Sequence, residues 1–479
     1  MRADGDGFAT RVHSGRDLMF FPNAAPAAEP GSAPSRNLID RIKGLALRDT
    51  NVVVVTVILN NLLRAVSGMI LTRLLVPEVF GISGIVASIQ FAATMSTDFG
   101  FQPFVVRHKN GDDPRFLDTV WTASLIRALF LALVLVVCAR PIAMLLEKPE
   151  LALIIAVSSL TFVLDGFSSS SMLTALRQRL VLRLSAIDIV VLVVQIAVSA
   201  VLAYFWRSYW AILAGMLTNG TLKLVLSYVM FDDSFRKFRL DRDVVQELWS
   251  FARYITGSSL IFLVISQCDK FVLAKVMSLN HFGLYVLAGN LASAPLAFAM
   301  TYASRVLYPT YAQLWRDGHG DLKAKFYERR KIPSLLYTFA TGGIIGAAPI
   351  IVKLFYSARY AEAAIYLQVL SISSLLALSS NAGNEALLAA GHVRASLEAS
   401  ISKLVWLAFA GVAGFVFYGE FGLIVAVGVM ELPALLVKWV RMQKFDLLDL
   451  RQELFYLAAG PVGVACGLGA DLVIGPLLH

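Results

Sequence analysis

The chain has 479 residues, of which 57% are hydrophobic and 16% charged, and its formal net charge is +9. A soluble domain is about 45–50% apolar and about 25% charged, so one soluble core of this composition would leave more apolar surface than its polar residues could cover. The same figures exclude a disordered, collagenous or coiled-coil chain and leave a polytopic membrane protein.

Residues 1–36 are rich in Ala, Pro, Gly and Arg and lack the apolar h-region of a signal peptide. They read as a disordered cytoplasmic tail, with Met19 as an alternative start. Residues 37–49 space Leu38, Ile39, Ile42, Leu45 and Leu47 for an amphipathic interfacial helix. A bilayer core takes about 20 mostly apolar residues per helix. Such runs lie near 50–74, 79–100, 117–139, 150–173, 184–205 and 209–230. After a polar segment they resume near 249–277, 281–304, 332–355, 363–388, 398–418 and 421–440, with a Gly/Pro-rich run at 453–477. The expected fold is all-α, with 12–14 transmembrane helices. A six-helix bundle over 37–230 is followed by a cytoplasmic linker over 231–248, a second six-helix bundle over 249–441 and an extra transmembrane segment over 442–479.

Lys and Arg set the orientation. Even-numbered connections carry Arg107, Lys109 and Arg115, then Arg177, Arg179 and Arg183, then Arg236, Lys237, Arg239 and Arg242. The 305–331 connection and Arg441, Lys444 and Arg451 continue the series, whereas odd connections hold strays such as Lys148, Arg207, Lys275 and Arg359. The bias places the N-terminus in the cytoplasm and accounts for the net charge; basic clusters beside anionic membrane lipid are its plain reading, so nucleic acid is not an expected partner. Cys138, Cys268 and Cys466 lie in apolar stretches without a CxxC pair and read as buried thiols.

The segment LTRLLVPEVFGIS (71–83) matches LAKVMSLNHFGLY (273–285) at an offset of 202, pairing Leu71 with Leu273 and Phe80-Gly81 with Phe282-Gly283. A weaker echo sets 173–185 against 384–396, pairing Ala175 with Ala386 and Arg183 with Arg394. The two six-helix halves therefore read as parallel repeats about an axis along the membrane normal, a transporter architecture with a central cavity between them.

Charges inside spans need partners or a water-filled cavity. Arg127 with Asp165, and Asp188 with Lys223, are expected structural ion pairs; Lys403 and Glu431 are further pairing candidates. Arg64 in the first span and Asp269-Lys270 in the seventh lie at similar depth in the repeat register, near Gln267. They fit a bridge between the halves and also a cationic cavity site for an anionic ligand, and the two readings are compatible. Asp98 and Arg305 sit at span ends where they would guard a mouth or anchor at the interface. Asn381, Asn384 and Glu385 form one polar turn, read as a helix-packing cluster or an ion-coupling site. No HExxH, GxSxG or P-loop occurs, and the loops are too short for an ATPase domain, so no enzyme activity and no cofactor or metal is expected.

The strings VSGMILTRLLVPEVFGISGIVASI, STDFGFQPFVVR, DKFVLAKVMSLNHFGLY and SRVLYPTYAQL resemble Wzx-type oligosaccharide flippases, polysaccharide biosynthesis transporters of the MOP superfamily that also holds the MATE exporters. The resemblance covers about residues 45–440, and many relatives have 12 or 14 spans and lack the long tail. It implies two bundles forming a V in the bacterial inner membrane and alternating access coupled to an H+ or Na+ gradient. It implies an undecaprenyl-diphosphate-linked oligosaccharide as substrate, with a polysaccharide polymerase and export machinery as partners. Under it, Arg64, Lys270 and Arg305 would contact phosphate, Arg305 matching the arginine before the family's Tyr/Phe-Pro, while Asp269, Asp98 and Glu385 would gate or couple ions. A MATE-like ion-coupled small-molecule exporter is the alternative; a scaffold or ligase is disfavoured by the repeat and by the lack of a large periplasmic loop.

Overall fold

The computed structural model describes residues 49–178, 180–231, 234–316, 322–392 and 394–475. The expected tail over 1–36, the interfacial stretch over 37–48 and Arg179 lie outside them. The described residues are helical, without a strand. A helix is what an apolar run must form where no water can satisfy its backbone. The first half holds α1 (Asp49–Leu74), α2 (Pro77–Ser96), α3 (Phe101–Arg107) and α4 (Pro114–Leu145), then α5 (Leu151–Ser158), α6 (Leu160–Phe167), α7 (Ser171–Arg177), α8 (Val181–Trp206) and α9 (Tyr209–Val229). The second half begins with α10 (Arg242–Val276) and α11 (Leu279–Tyr302), which runs through a π-helical turn (Ala303–Leu307) into α12 (Tyr308–Arg316). It continues with α13 (Leu322–Gly346), α14 (Ala348–Phe355), α15 (Ala363–Ala389), α16 (Arg394–Trp406), α17 (Val412–Gly428), α18 (Glu431–Lys444) and α19 (Leu450–Ile474).

Helix starts carry their own signals. Asp113, Asp241, Ser278 and Asp449 each accept a backbone N–H of the first turn of α4, α10, α11 and α19. Two expected spans are not straight. The 150–173 run breaks through Ser168, Ser169 and Ser170 with a bend of 58°, and the 332–355 run bends by 72° before α14, whose first turn holds Pro349. Proline cannot continue the preceding helix, so the bend falls there. Part of the expected 231–248 linker is already α10, which starts at Arg242.

Among the described residues nine helices are long and apolar enough to cross a membrane, or eleven when each bent pair counts as one crossing. The 394–444 stretch counted there as one reverses direction at Gly419, with φ +62°. Trp406 Nε1 donates to Ala426 O at 2.9 Å across the reversal, so this stretch is a hairpin of two crossings. The charged α10, 35 residues and about 52 Å long, adds one more. Counted in this way the described residues hold thirteen crossings, two more than length and apolarity alone support.

The halves meet where the repeat was read. A Cβ on Gly81 would lie 2.2 Å from Leu279 O, and one on Gly283 would lie 1.9 Å from Pro77 O. Each carbonyl is the 202-offset copy of the other, and Asn280 donates to its own counterpart Glu78 at 3.0 Å. Backbones of α2 and α11 thus touch reciprocally, as small residues allow in lipid. The last helix is fastened by the same device. Gly342, Gly346, Gly463 and Gly467 bring the α13 and α19 backbones together, and buried Arg330 pairs with Glu453 at one end of the seam. Gly346→Leu, whose side chain would meet Val464 O, is expected to lower stability by about 1–3 kcal/mol, read as a lower melting temperature of the detergent-purified protein.

Candidate functional site

A cavity of about 440 Å³ lies between α2, α10, α11 and α15. Asp269 and Lys270 reach its wall from α10. Asp269 is 8% exposed and accepts the hydroxyl of Tyr285 on α11. Lys270, one position on, points about 100° away around the helix and is half-exposed. Gln267 is 7% exposed, and its buried amide oxygen has no donor among the described residues. Asn290, Ser88 and Phe91 are among the other polar and aromatic groups of the lining.

The expected cluster of cations does not assemble here. Arg64 is exposed on α1, outside the cavity wall, and forms no ion pair with Asp269, whose Oδ2 accepts the Tyr285 hydroxyl. Arg305 is exposed on the π-helical turn and also lies outside the lining. Lys270 is the cavity's cation, and it sits beside the cavity's carboxylate.

Hydrogen bonds between the halves lie on both sides of this region. The basic end carries Arg107, Arg177 and Arg242 at its helix termini. There the Asp98 carboxylate accepts Ser259 Oγ at 2.9 Å, and its backbone carbonyl accepts Thr256 Oγ1 at 2.8 Å. Both donors are on α10, so Asp98 ties the halves together. At the opposite end Lys148 Nζ donates to Ala274 O at 2.8 Å and Met277 O at 3.3 Å, capping the last turn of α10. The 202-offset carbonyls at the end of α1 are capped from the second half: Ser357 Oγ donates to Thr72 O at 3.3 Å, and the Tyr360 hydroxyl donates to Leu75 O at 2.9 Å. Helix-terminal carbonyls have no partner in their own helix, and each half supplies the other's. Burial against these carbonyls pushes Lys148 below the usual lysine range, with Glu150 and Glu147 opposing it.

A second cavity, about 480 Å³, is lined by Asp98, Trp121, Asp165 and Lys223 of the first half and touched by Ile255 of α10. Neither ion pair expected here closes within 4.0 Å. Arg127 instead donates to Thr97 Oγ1 at 3.0 Å and Thr94 O at 3.1 Å, where the C-terminal carbonyls of α2 draw a cation. Lys223 faces Asp165 and Asp188 together and closes on neither. In the second half the pairing of Lys403 with Glu431 forms at 2.5 Å, and Lys438 and Ser380 complete the cluster. Glu385 is half-buried outside both cavities, and neighbouring Asn381 binds Ala377 O of its own helix. Among the described residues no group of three His, Cys, Asp or Glu could hold a metal. Sequence reasoning missed Tyr285 and Lys148. Tyr285 ends the FGLY string and was visible there; Lys148 was set aside as a stray.

A profile described as "Polysaccharide biosynthesis protein" matches residues 70–365. The succinoglycan biosynthesis transport protein ExoT of Rhizobium meliloti (strain 1021) is 28% identical over 315 residues, 65% of this chain and 62% of that protein. The lipopolysaccharide biosynthesis protein WzxC of Escherichia coli (strain K12) is 22% identical over 341 residues, 70% and 68%. The chain spans 55–68% of the length of the first three curated relatives it matches. In fold it is similar to the lipid II flippase MurJ in its inward closed conformation, with TM-score 0.61 and 13% identity over 89% of this chain and 99% of that one. An inward-facing multidrug resistance MATE family transporter of the MOP superfamily gives 0.60 and 14%, over 81% and 95%.

Two outcomes test the electrostatics. Glu431→Gln strands two lysines and is expected to lower stability by about 3–5 kcal/mol, with partial recovery when Lys403→Met is added, as read by thermal unfolding. Arg127→Met is expected to lower stability by about 1–3 kcal/mol, and a charge swap with Asp165 does not restore it, because the partner is a helix terminus.

Proposed function

The chain belongs to the polysaccharide biosynthesis protein family, and from that premise we propose that it carries undecaprenyl-diphosphate-linked oligosaccharide units across the bacterial inner membrane by alternating access. The chain is a multi-pass membrane protein. In this reading the basic end and the N-terminus face the cytoplasm, and a polysaccharide polymerase and export machinery take the product. An H+ or Na+ gradient is the proposed drive.

One observation carries the reading. A cavity with polar groups in a largely apolar wall lies between the two halves, and cross-half hydrogen bonds lie on both sides of it, from Asp98 on one side and Lys148 on the other. A carrier that opens to one face at a time needs such a site between two breakable seals. Hydrogen bonds from hydroxyls and one ammonium are individually weak enough to exchange, at about 0.5–3 kcal/mol each. The family relatives add the substrate class: ExoT is named a succinoglycan biosynthesis transport protein. Exposed Arg64 and Arg305 and half-exposed Lys270 are the proposed phosphate contacts, the first two outside the cavity and Lys270 at its rim. Asp269 holds Tyr285 and thereby ties α10 to α11, the proposed gating contact.

The test is a deletion strain in which surface polysaccharide and the lipid-linked sugar pool are assayed together, with a topology probe on the glycolipid. Loss of polysaccharide with glycolipid trapped in the cytoplasmic leaflet is the expected result. Glycolipid that still reaches the periplasmic leaflet, with dye efflux impaired, would replace the reading by small-molecule export. Lys270→Ala and Arg64→Ala are expected to lower translocation about tenfold or more at unchanged protein yield, the scale of a lost charge-assisted hydrogen bond.

A further inference from the structure

From the make-up of the 440 Å³ cavity we infer that it takes the saccharide end of the substrate and not its diphosphate, and that Gln267 is the residue that reads the sugar. The inference rests on the translocation reading above and assigns the parts of that substrate to places.

Charge argues first. A diphosphate carries more than one negative charge, and drawing it out of water requires cations in excess. The cavity wall offers one cation, the half-exposed Lys270. Arg64 and Arg305 lie outside the wall. The anion is therefore better served outside the cavity.

Hydrogen-bonding capacity argues second. The wall presents neutral groups that both donate and accept: the amides of Gln267 and Asn290 and the hydroxyl of Ser88, with the ring of Phe91 among them. Sugars offer many hydroxyls around an apolar ring face, and this wall answers both features. Gln267 stands apart within the set. It is withdrawn from solvent, yet its amide oxygen has no protein donor, whereas Asp269 two residues on is satisfied by Tyr285. A buried acceptor left without a donor is unfavourable, and a ligand hydroxyl or amide N–H supplies one. Sites built this way reject analogues that lack the matching group.

The test uses the full-length protein in lipid nanodiscs. The probes are undecaprenyl diphosphate and the same lipid bearing its repeat unit, both extracted from the deletion strain. The wild type is expected to bind the glycosylated lipid about tenfold more tightly than the bare one, and Gln267→Leu brings that ratio close to one. Asn290→Ala, at an exposed cavity position, lowers the ratio as well and covers the case in which Gln267→Leu fails to fold. A wild-type ratio near one, or a ratio unchanged in both variants, overturns the saccharide assignment and leaves translocation standing. Failure of the wild type to bind either lipid overturns the translocation reading itself.

Discussion

The approach of α2 and α11 at Gly81 and Gly283 is the contact on which the rest of the molecule depends. In lipid, apolar side chains gain nothing by leaving their surroundings for one another, so helices associate by close packing and polar contacts. Two glycines let carbonyl oxygens approach to distances that any Cβ would forbid. Phe80 and Phe282, one residue before each glycine, are buried on either side, and Asn280 donates to Glu78 at the rim. With that seam fixed, α10 is held along α2, and Asp269, Tyr285 and Gln267 are brought to one cavity.

The ends of the first span in each half show the same economy. Carbonyls at 72 and 75, and at 274 and 277, face the other half instead of water, and hydroxyls or an ammonium cap them from across the boundary. These contacts join helix termini. Within the second half, α13 and α19 are joined by backbone contact, and Glu431 is buried in its lysine cluster.

Much of the architecture was legible in the chain. The crossings followed from apolar run length, and the FG repeat located the seam because glycine spacing and hydrophobic register are local properties. The pairing of Lys403 with Glu431 was legible because both lie on one hairpin. Arg127 with Asp165, and Asp188 with Lys223, were not: depth along a helix gives no azimuth, and a cation can be satisfied by a backbone carbonyl that has no sequence signature. For the same reason Arg64 and Lys270, alike in depth along their spans, do not share a wall. The bends before Pro349 and at Ser168–Ser170 were written in residue type, yet the apolar runs concealed them.

The reciprocal seam has a consequence for how such a chain diverges after duplication. A residue near a two-fold axis meets its own copy, so in a chain of two identical halves packed this way position 78 would face position 280 with the same side chain. A glutamate there would face a glutamate, two acceptors in repulsion; an asparagine would face an asparagine, with no charge to strengthen the bond. The present Glu78 and Asn280 are unlike, and one donates to the other. Away from the axis, the two copies of a residue drift in separate surroundings. On it, each change alters the environment of its twin, and the first useful change is one that makes the twins different.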